Sequence, residues 1–342
     1  MLDAADLAQL QSTLVAVFTH LLKPLFTWRD PYSYFFWPFL VVALGLCALA
    51  YRRSEARREG RNFFAAYFPK AIWGHRSALA DYRYWYVNQI LFALALGAYF
   101  LSTAWVARSV RGELDGAFGA VPAPVETALA AKLLLTILYF IAYDFGRFLA
   151  HYTLHRVTLL WLIHKVHHSA EVLTPLTNAR AHPLELFWMA GVPSALGGIV
   201  LGVFMHVHGA DTGVFTIFGL HVFVFVYNAI GNLRHSHVWL SWGPRFSYVF
   251  VSRAQHQLHH STRPEHFGRN IGYALALWDW LFGTIYVPAK EERFAMGLGD
   301  GSEAKYLGVV RMYVQPFIDI ARYLASGRAS SGAPIGAPTP QS

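Results

Sequence analysis

From residue 84 to residue 107 the chain runs for 24 positions without a charged side chain. A run of this length reads as a membrane-crossing helix, which needs about 20 apolar residues. Residues 34–50 are equally uncharged, lie between Arg29 and Asp30 on one side and Arg52 and Arg53 on the other, and at about 1.5 Å per residue are just long enough to span. A third run begins after Lys132 and reaches Asp144, while 186–205 and 212–233 form an apolar pair joined by the turn VHGAD. Composition agrees, since 55% of residues are hydrophobic and 14% charged, with 26 Phe, 18 Tyr and 11 Trp, outside the balance of a soluble domain. One integrated, multi-pass membrane domain is predicted. At the N-terminus, Asp3 and Asp6 stand where a cleaved leader would be basic, so residues 7–26 are expected to form an amphipathic interfacial helix instead.

Charge orients these spans. Residues 52–83 hold eight Arg or Lys against Glu55, Glu59 and Asp81, whereas 108–123 hold two against Glu113 and Asp115. The positive-inside rule places the first loop in the cytoplasm. Following the chain from there puts every dense histidine set on the same, cytoplasmic side. The net charge of +8 is carried beside apolar runs, as in membrane anchors, and is not interleaved with aromatics on a polar background, which excludes a nucleic-acid surface. Cys47 is the only cysteine, so no disulfide framework and no thiolate metal site is expected.

Of 17 histidines, fourteen fall between residues 151 and 260, and eight of these form three tight sets. They are His151 and His155; His164, His167 and His168; and His256, His259 and His260. Helical neighbours at i, i+3 and i+4 share a face, so each set aims its imidazoles in one direction. Asp144 lies seven residues before His151, on the same stripe, and is a candidate to hold the outer N–H of a ligand histidine. Packing eight imidazoles near a bilayer carries a desolvation cost with no structural return unless they bind something. His20, His75, His206, His208 and His221 are isolated and read as ordinary interfacial or core residues. Eight ligands exceed the four that one zinc takes, so two ions are indicated. Neither HExxH nor any Glu-x-x-His pair occurs, and haem leaves the repeated HxxHH unexplained. Imidazole suits iron, zinc and copper alike, so ligand type does not choose among them.

HYTLH, HKVHH and HQLHH, in that order, resemble the HxxxH, HxxHH, HxxHH signature of the membrane fatty acid hydroxylase and sterol desaturase superfamily. Asp144 before the first box, Trp161 before the second, TNARAHPLE at 177–185 and NIGYALALWDWLFGTIYVP at 270–288 extend the similarity over about residues 130–290. The resemblance implies an all-α, multi-pass membrane protein with a cytoplasmic helical cap. In that cap two iron ions (Fe2+/Fe3+) would use O2 and external electrons to oxidise a lipid C–H bond. It carries over as metal ligands the eight boxed histidines and His235, with His237 a competitor for that place and His182 a further candidate. Asn270 is a candidate polar partner of the last box. Two departures stand out: the first box has its arginine after the second histidine, as Arg156, and Arg253 replaces a proline often found just before the last box.

The expected organisation is an interfacial segment (1–30), two spans and their loops (31–124), a catalytic domain (125–290), a helical extension (291–326) and a disordered Gly/Pro/Ala/Ser-rich tail (327–342). No dinucleotide fingerprint, CxxC set or appended cytochrome region is present, so a separate ferredoxin, cytochrome b5-like protein or reductase is expected to supply electrons. The basic stretch 52–61 reads as a membrane anchor before it reads as a donor's dock. Lipid hydroxylation leads, a desaturase on the same site is its closest rival, and a non-catalytic metal-binding membrane protein is third. Transport would spread ionisable groups through the spans, whereas these cluster at one end. Sterol, fatty acyl chain, ether lipid, sphingoid base and carotenoid all stay open as substrates.

Overall fold

The computed structural model describes residues 11–13, 15, 17–19, 21–95, 102–122, 128–209 and 213–326. His20, most of the first ten residues of the expected interfacial helix and the tail from 327 lie outside the described residues. The described part is mostly helical. Its principal helices are α1 (Trp37–Arg53), α2 (Arg76–Ala95), α3 (Thr103–Phe118), α4 (Leu129–Arg156), α5 (Thr158–His168), α6 (Pro183–His208), α7 (Val222–Gly231), α8 (Arg253–His259), α9 (Leu277–Leu281) and α10 (Val309–Ala325). Among the described residues, α4 and α6 are long and apolar enough to cross a membrane. At 1.5 Å per residue their 28 and 26 residues reach roughly 40 Å, more than the ~30 Å of hydrocarbon, so each has turns to spare beyond it.

Two expected spans are redrawn. The uncharged run 84–107 is not one helix: α2 is described as far as Ala95, and Ser102 starts α3 afresh by accepting the Trp105 N–H at 3.1 Å. A hydroxyl at that position satisfies one of the donors that a helix start leaves open. The run 212–233 is helical only over the ten residues of α7. Before it, Thr216–Ile217 (β1) and Leu220–His221 (β2) pair antiparallel. Phe218 and Gly219 between them have φ of 51° and 80°, the left-handed pair that a tight hairpin demands. His221 then caps α7, its Nδ1 accepting the Phe223 N–H, while its Nε2–H donates to Thr136 O at 2.9 Å.

Close helix approach rests on small residues. A Cβ on Gly146 of α4 would lie 2.5 Å from Pro193 Cα of α6, and one on Gly202 of α6 would lie 2.6 Å from Ala107 O of α3. In lipid, where apolar faces gain little from meeting, such backbone contact is the main source of helix adhesion. α4 and α6 run antiparallel, as Arg147 Nη1 donating to Met189 O and Trp188 Nε1 donating to Thr153 Oγ1 show. α1 packs alongside α7. Cys47 of α1 meets Tyr67, Leu233 and Val238 at the end near the histidines.

At that end the chain folds a second core. Ala80 and Tyr84 of α2, Val166 of α5, and Tyr306 and Met312 next to and within α10 form one buried cluster. Arg180, fully buried, ties it together: Nη1 donates to Asp81 Oδ1 and Ser77 Oγ (2.8 Å each), Nη2 to Tyr306 O (2.8 Å) and Nε to Val166 O (3.1 Å). A buried guanidinium is tolerated because each of its edges meets an acceptor.

Candidate metal centre

α4 runs past Asp144 to its last two turns, which carry His151 and His155. Val157 leaves the helical region (φ −99°, ψ 116°) and turns the chain into α5, which carries the second set. Ser252 and Gln255 form a reciprocal cap that starts α8 and fixes the face on which His256 and His259 stand, with His260 closing the helix. His235 comes from the loop after α7.

Nine imidazoles, all buried, meet in two groups. One comprises His151, His155, His164, His168 and His259, the other His167, His235, His256 and His260; within each group the ligand atoms lie within 4.8 Å of one another. Each HxxHH box contributes to both groups. In HxxHH the i and i+4 rings share a direction while the i+3 ring is turned away by about 60°. His164 and His168 therefore join the first group and His167 the second, while His256 and His260 join the second and His259 the first.

The ring nitrogens fit a bound cation. His151 Nδ1–H donates to Ile271 O (2.7 Å), His259 Nδ1–H to Arg269 O (2.8 Å) and His167 Nδ1–H to Arg180 O (3.2 Å). Those tautomers leave Nε2 as a bare lone pair. Yet His259 Nε2 lies 3.1 Å from His151 Nε2, so two lone pairs face each other where no hydrogen bond can form. In the second group His256 and His235 Nε2 stand 2.8 Å apart, and His235 and His167 Nε2 3.1 Å apart. Protonation is opposed by burial, which pushes His164 and His259 down to about 3 and His167 to about 4. His168 Nε2 and both nitrogens of His164 have no hydrogen-bond partner among the described residues. Neutral imidazoles with converging lone pairs are the donor set of a metal. Each group can hold an ion.

Around the rings, Glu185 Oε1 lies 2.9 Å from His164 Nδ1, without the alignment of a hydrogen bond. Trp161 packs on His155 and His168. Asp144 does not touch a ring nitrogen. Seven residues separate it from His151, roughly 10 Å of helix rise, and sharing a stripe is not sharing a height. Its carboxylate instead accepts from Ala274 N (2.9 Å), Leu275 N (3.1 Å) and Trp278 Nε1 (2.8 Å). Asp279 accepts from Ile271 N and Gly272 N at 2.7 and 2.9 Å. The two carboxylates clamp the strip that presents Ile271 O to His151. Asn270, at φ 54°, donates from Nδ2 to Gln255 O at the start of the last box and accepts the Tyr286 N–H on Oδ1.

His182 stands outside both groups: Nδ1 accepts the Leu184 N–H at the start of α6 and Nε2–H donates to Tyr313 O, so neither nitrogen is free for a metal. His237 lies outside both groups too, its ring tilted against Tyr67. Sequence reasoning gave no role to Arg180, Glu185 or Asp279. Arg180 and Glu185 fall inside the TNARAHPLE stretch, and that similarity is the signal the sequence carries for them.

A cavity of about 280 Å³ adjoins the rings of His151, His164, His167, His235 and His256. Leu186, Met189 and Tyr227 supply apolar wall, and Arg147 and Arg234 charge. Phe187, Trp188, Phe218, Phe223 and Phe225 do not line it.

Residues 136–284, which contain all nine histidines, match the model of the family described as fatty acid hydroxylase. The chain is 29% identical over 177 residues to the ornithine lipid hydroxylase OlsE of Rhizobium tropici, covering 51% of this chain and 47% of that protein. It is 30% identical over 158 residues to the alkylglycerol monooxygenase of Xenopus tropicalis, covering 45% and 31%. A Delta(7)-sterol 5(6)-desaturase of Eremothecium gossypii is 29% identical over 161 residues, covering 47% and 40%. The chain thus spans less than half the length of these curated relatives. No solved structure matches it.

Proposed function

We propose, from the premise that residues 136–284 belong to the fatty acid hydroxylase family, that this chain oxidises a C–H bond of a membrane lipid with O2, as a non-haem di-iron hydroxylase. The observation that carries this reading is the convergence of nine buried, neutral imidazoles into groups of five and four. All nine would be ligands: His151, His155, His164, His168 and His259 for one iron, and His167, His235, His256 and His260 for the other. A lipid C–H bond has no acidic proton for a side chain to take, and iron bound there supplies the oxygen-activating chemistry that the protein lacks.

The chain's own residues do the rest. Ile271 O, Arg269 O and Arg180 O hold three rings in one tautomer, so their Nε2 lone pairs point inward without reorganising. Asp144 and Asp279 brace the strip carrying Ile271, and Asn270 ties it to the last box. The apolar walls Leu186 and Met189 seat a lipid chain against the rings and keep water from them. In this reading α4 and α6 cross the bilayer with α1, α2 and α7 beside them, and the histidine end forms a cap on the cytoplasmic side. Residues 125–290 act as the catalytic domain, with 1–30 at the interface, 31–124 as spans and 291–326 as the helical extension. Two electrons come from a separate ferredoxin, cytochrome b5-like protein or reductase.

A desaturase on the same site is the second reading, supported by the similarity to a sterol desaturase. Isotope labelling separates the two. Protein purified from iron-replete cells, supplied with lipid extract, an electron source and 18O2, gives a lipid carrying one 18O if it hydroxylates, and a lipid short of two hydrogens without 18O if it desaturates. Metal content, measured beside a His167→Ala/His259→Ala variant, should be about two irons per chain in the parent and clearly less in the variant. Substoichiometric metal that the substitutions leave unchanged refutes both readings.

A further inference from the structure

Next to the cavity that borders the histidines lies a second one, of about 270 Å³, and the two share Tyr227, Gly231 and Arg234 as a common wall. The remaining lining is largely apolar: Ile230, Trp242, Phe246, Phe250 and Val251. Phe246 and Phe250 are exposed, so aromatic carbon also forms the outer rim. Into this apolar space projects Arg253, which is 2% exposed.

Arg253 is unlike the other fully buried arginine. Arg180 meets an acceptor on every edge, whereas Nε, Nη1 and Nη2 of Arg253 have no hydrogen-bond partner, and no carboxylate of the described residues lies within ion-pair distance. Its guanidinium lies over the face of Trp242, 4.8 Å from Cζ to the ring centre. Nearby Arg234 adds a second cation, held by Tyr227 Oη, Tyr273 O and Gly272 O and by no carboxylate. Burial pushes the Arg253 guanidinium down only to about 10, so it stays charged near neutrality. A buried, charged and unpaired fork of five N–H donors is among the costliest arrangements a protein can hold. It also has the geometry that takes up two oxygens of a carboxylate or phosphate at once.

We propose that Arg253 is the anchor for the oxyanion of an acidic lipid, whose carboxylate or phosphate pairs with the guanidinium while its chain lies along the apolar lining of the cavity. This rests on the lipid-oxidising reading above and deepens it: the substrate is an anionic amphiphile. Because the two cavities share Tyr227, Gly231 and Arg234, an acidic end held at Arg253 sits beside the cavity that borders the imidazoles.

Equilibrium binding of radiolabelled probes to the full-length, iron-loaded protein in maltoside detergent tests this directly. Dodecanoate and dodecyl phosphate are compared with dodecanol, and acetate and inorganic phosphate are offered as competitors. The expected result is that the two anionic amphiphiles bind roughly tenfold or more tighter than dodecanol, as a charge-assisted pair implies. That preference should vanish in Arg253→Met and survive in part in Arg253→Lys, which keeps the charge and loses the fork. Ile230→Trp, which narrows the cavity and leaves Arg253 in place, should weaken dodecanoate binding, and it decides the matter if Arg253→Met does not fold. Equal binding of dodecanol by the parent, a preference that persists in Arg253→Met, or unchanged binding in Ile230→Trp overturns the proposal. Competition by inorganic phosphate at the concentrations at which dodecyl phosphate binds would make this a small-anion site and overturn the lipid assignment. Iron content is measured on every sample. An iron-bearing, lipid-oxidising protein without the preference refutes only this anchor, while absence of metal refutes the earlier reading whatever Arg253 binds.

Discussion

Replacing Arg180 with methionine tests how the histidine end is held together. The side chain is fully buried and its guanidinium donates to Val166 O, Ser77 Oγ, Asp81 Oδ1 and Tyr306 O, which lie on or beside α5, α2 and α10. Arg180→Met leaves the Asp81 carboxylate buried with the Thr177 hydroxyl as its remaining close partner. Removing one member of a buried ion pair costs about 3–5 kcal/mol, chiefly because the other is stranded. Adding Asp81→Asn removes the stranded charge, so the double variant should be more stable than Arg180→Met alone by about 1–3 kcal/mol. Apparent unfolding temperature by intrinsic tryptophan fluorescence, at one scan rate and one metal load, reads the order: parent, then double variant, then Arg180→Met. Because Arg180 O also holds His167 Nδ1, the single variant should release metal to a chelator faster than the parent. If Arg180→Met unfolds at the parent's temperature, or if the second substitution gives no recovery, the pair does not organise this end.

Three histidines outside the boxes should part company. His235→Ala lowers metal content, because His235 Nε2 stands 2.8 Å from His256 Nε2 and 3.1 Å from His167 Nε2, whereas His237→Ala leaves it unchanged. His182→Ala is expected to cost about 1 kcal/mol of stability through loss of the α6 cap, read as a lower unfolding temperature with full metal content; metal loss in that variant would return His182 to the ligand set. Asp144→Asn should slow nothing in folding of α4 but weaken the strip that offers Ile271 O to His151, and metal affinity should drop about tenfold or more, read by chelator competition. Unchanged affinity would show that Asp279 alone suffices to brace it.

Periodic signals were legible in the sequence and three-dimensional heights were not. The eight boxed histidines and His235 come together as the i, i+3, i+4 spacing and the resemblance led one to expect. That spacing gives direction around a helix axis and nothing about position along it, which is why Asp144 could share a stripe with His151 and still miss it. The split of each HxxHH follows from helical spacing, which turns the i+3 ring away from the i and i+4 pair, but which group each ring joins is set by how α5 and α8 are placed in the fold. Charge-free length misled at 84–107 and 212–233, because Ser102 starts a new helix and the Phe218–Gly219 pair turns a hairpin before α7, in both cases without any charge. Arg180 and Glu185 were in view but unassigned, since composition cannot tell a buried, partnered charge from a solvated one.

The interleaving of the two boxes would couple ion binding at the two histidine groups thermodynamically. α5 gives two rings to one group and one to the other, and α8 does the reverse, so fixing either group sets the rotation and spacing of both helices. Whatever ordering free energy the first ion expends on those helices is not spent again on the second. Uptake should be positively cooperative, with half-loaded chains scarce at equilibrium, and a defect in either helix should empty both positions together.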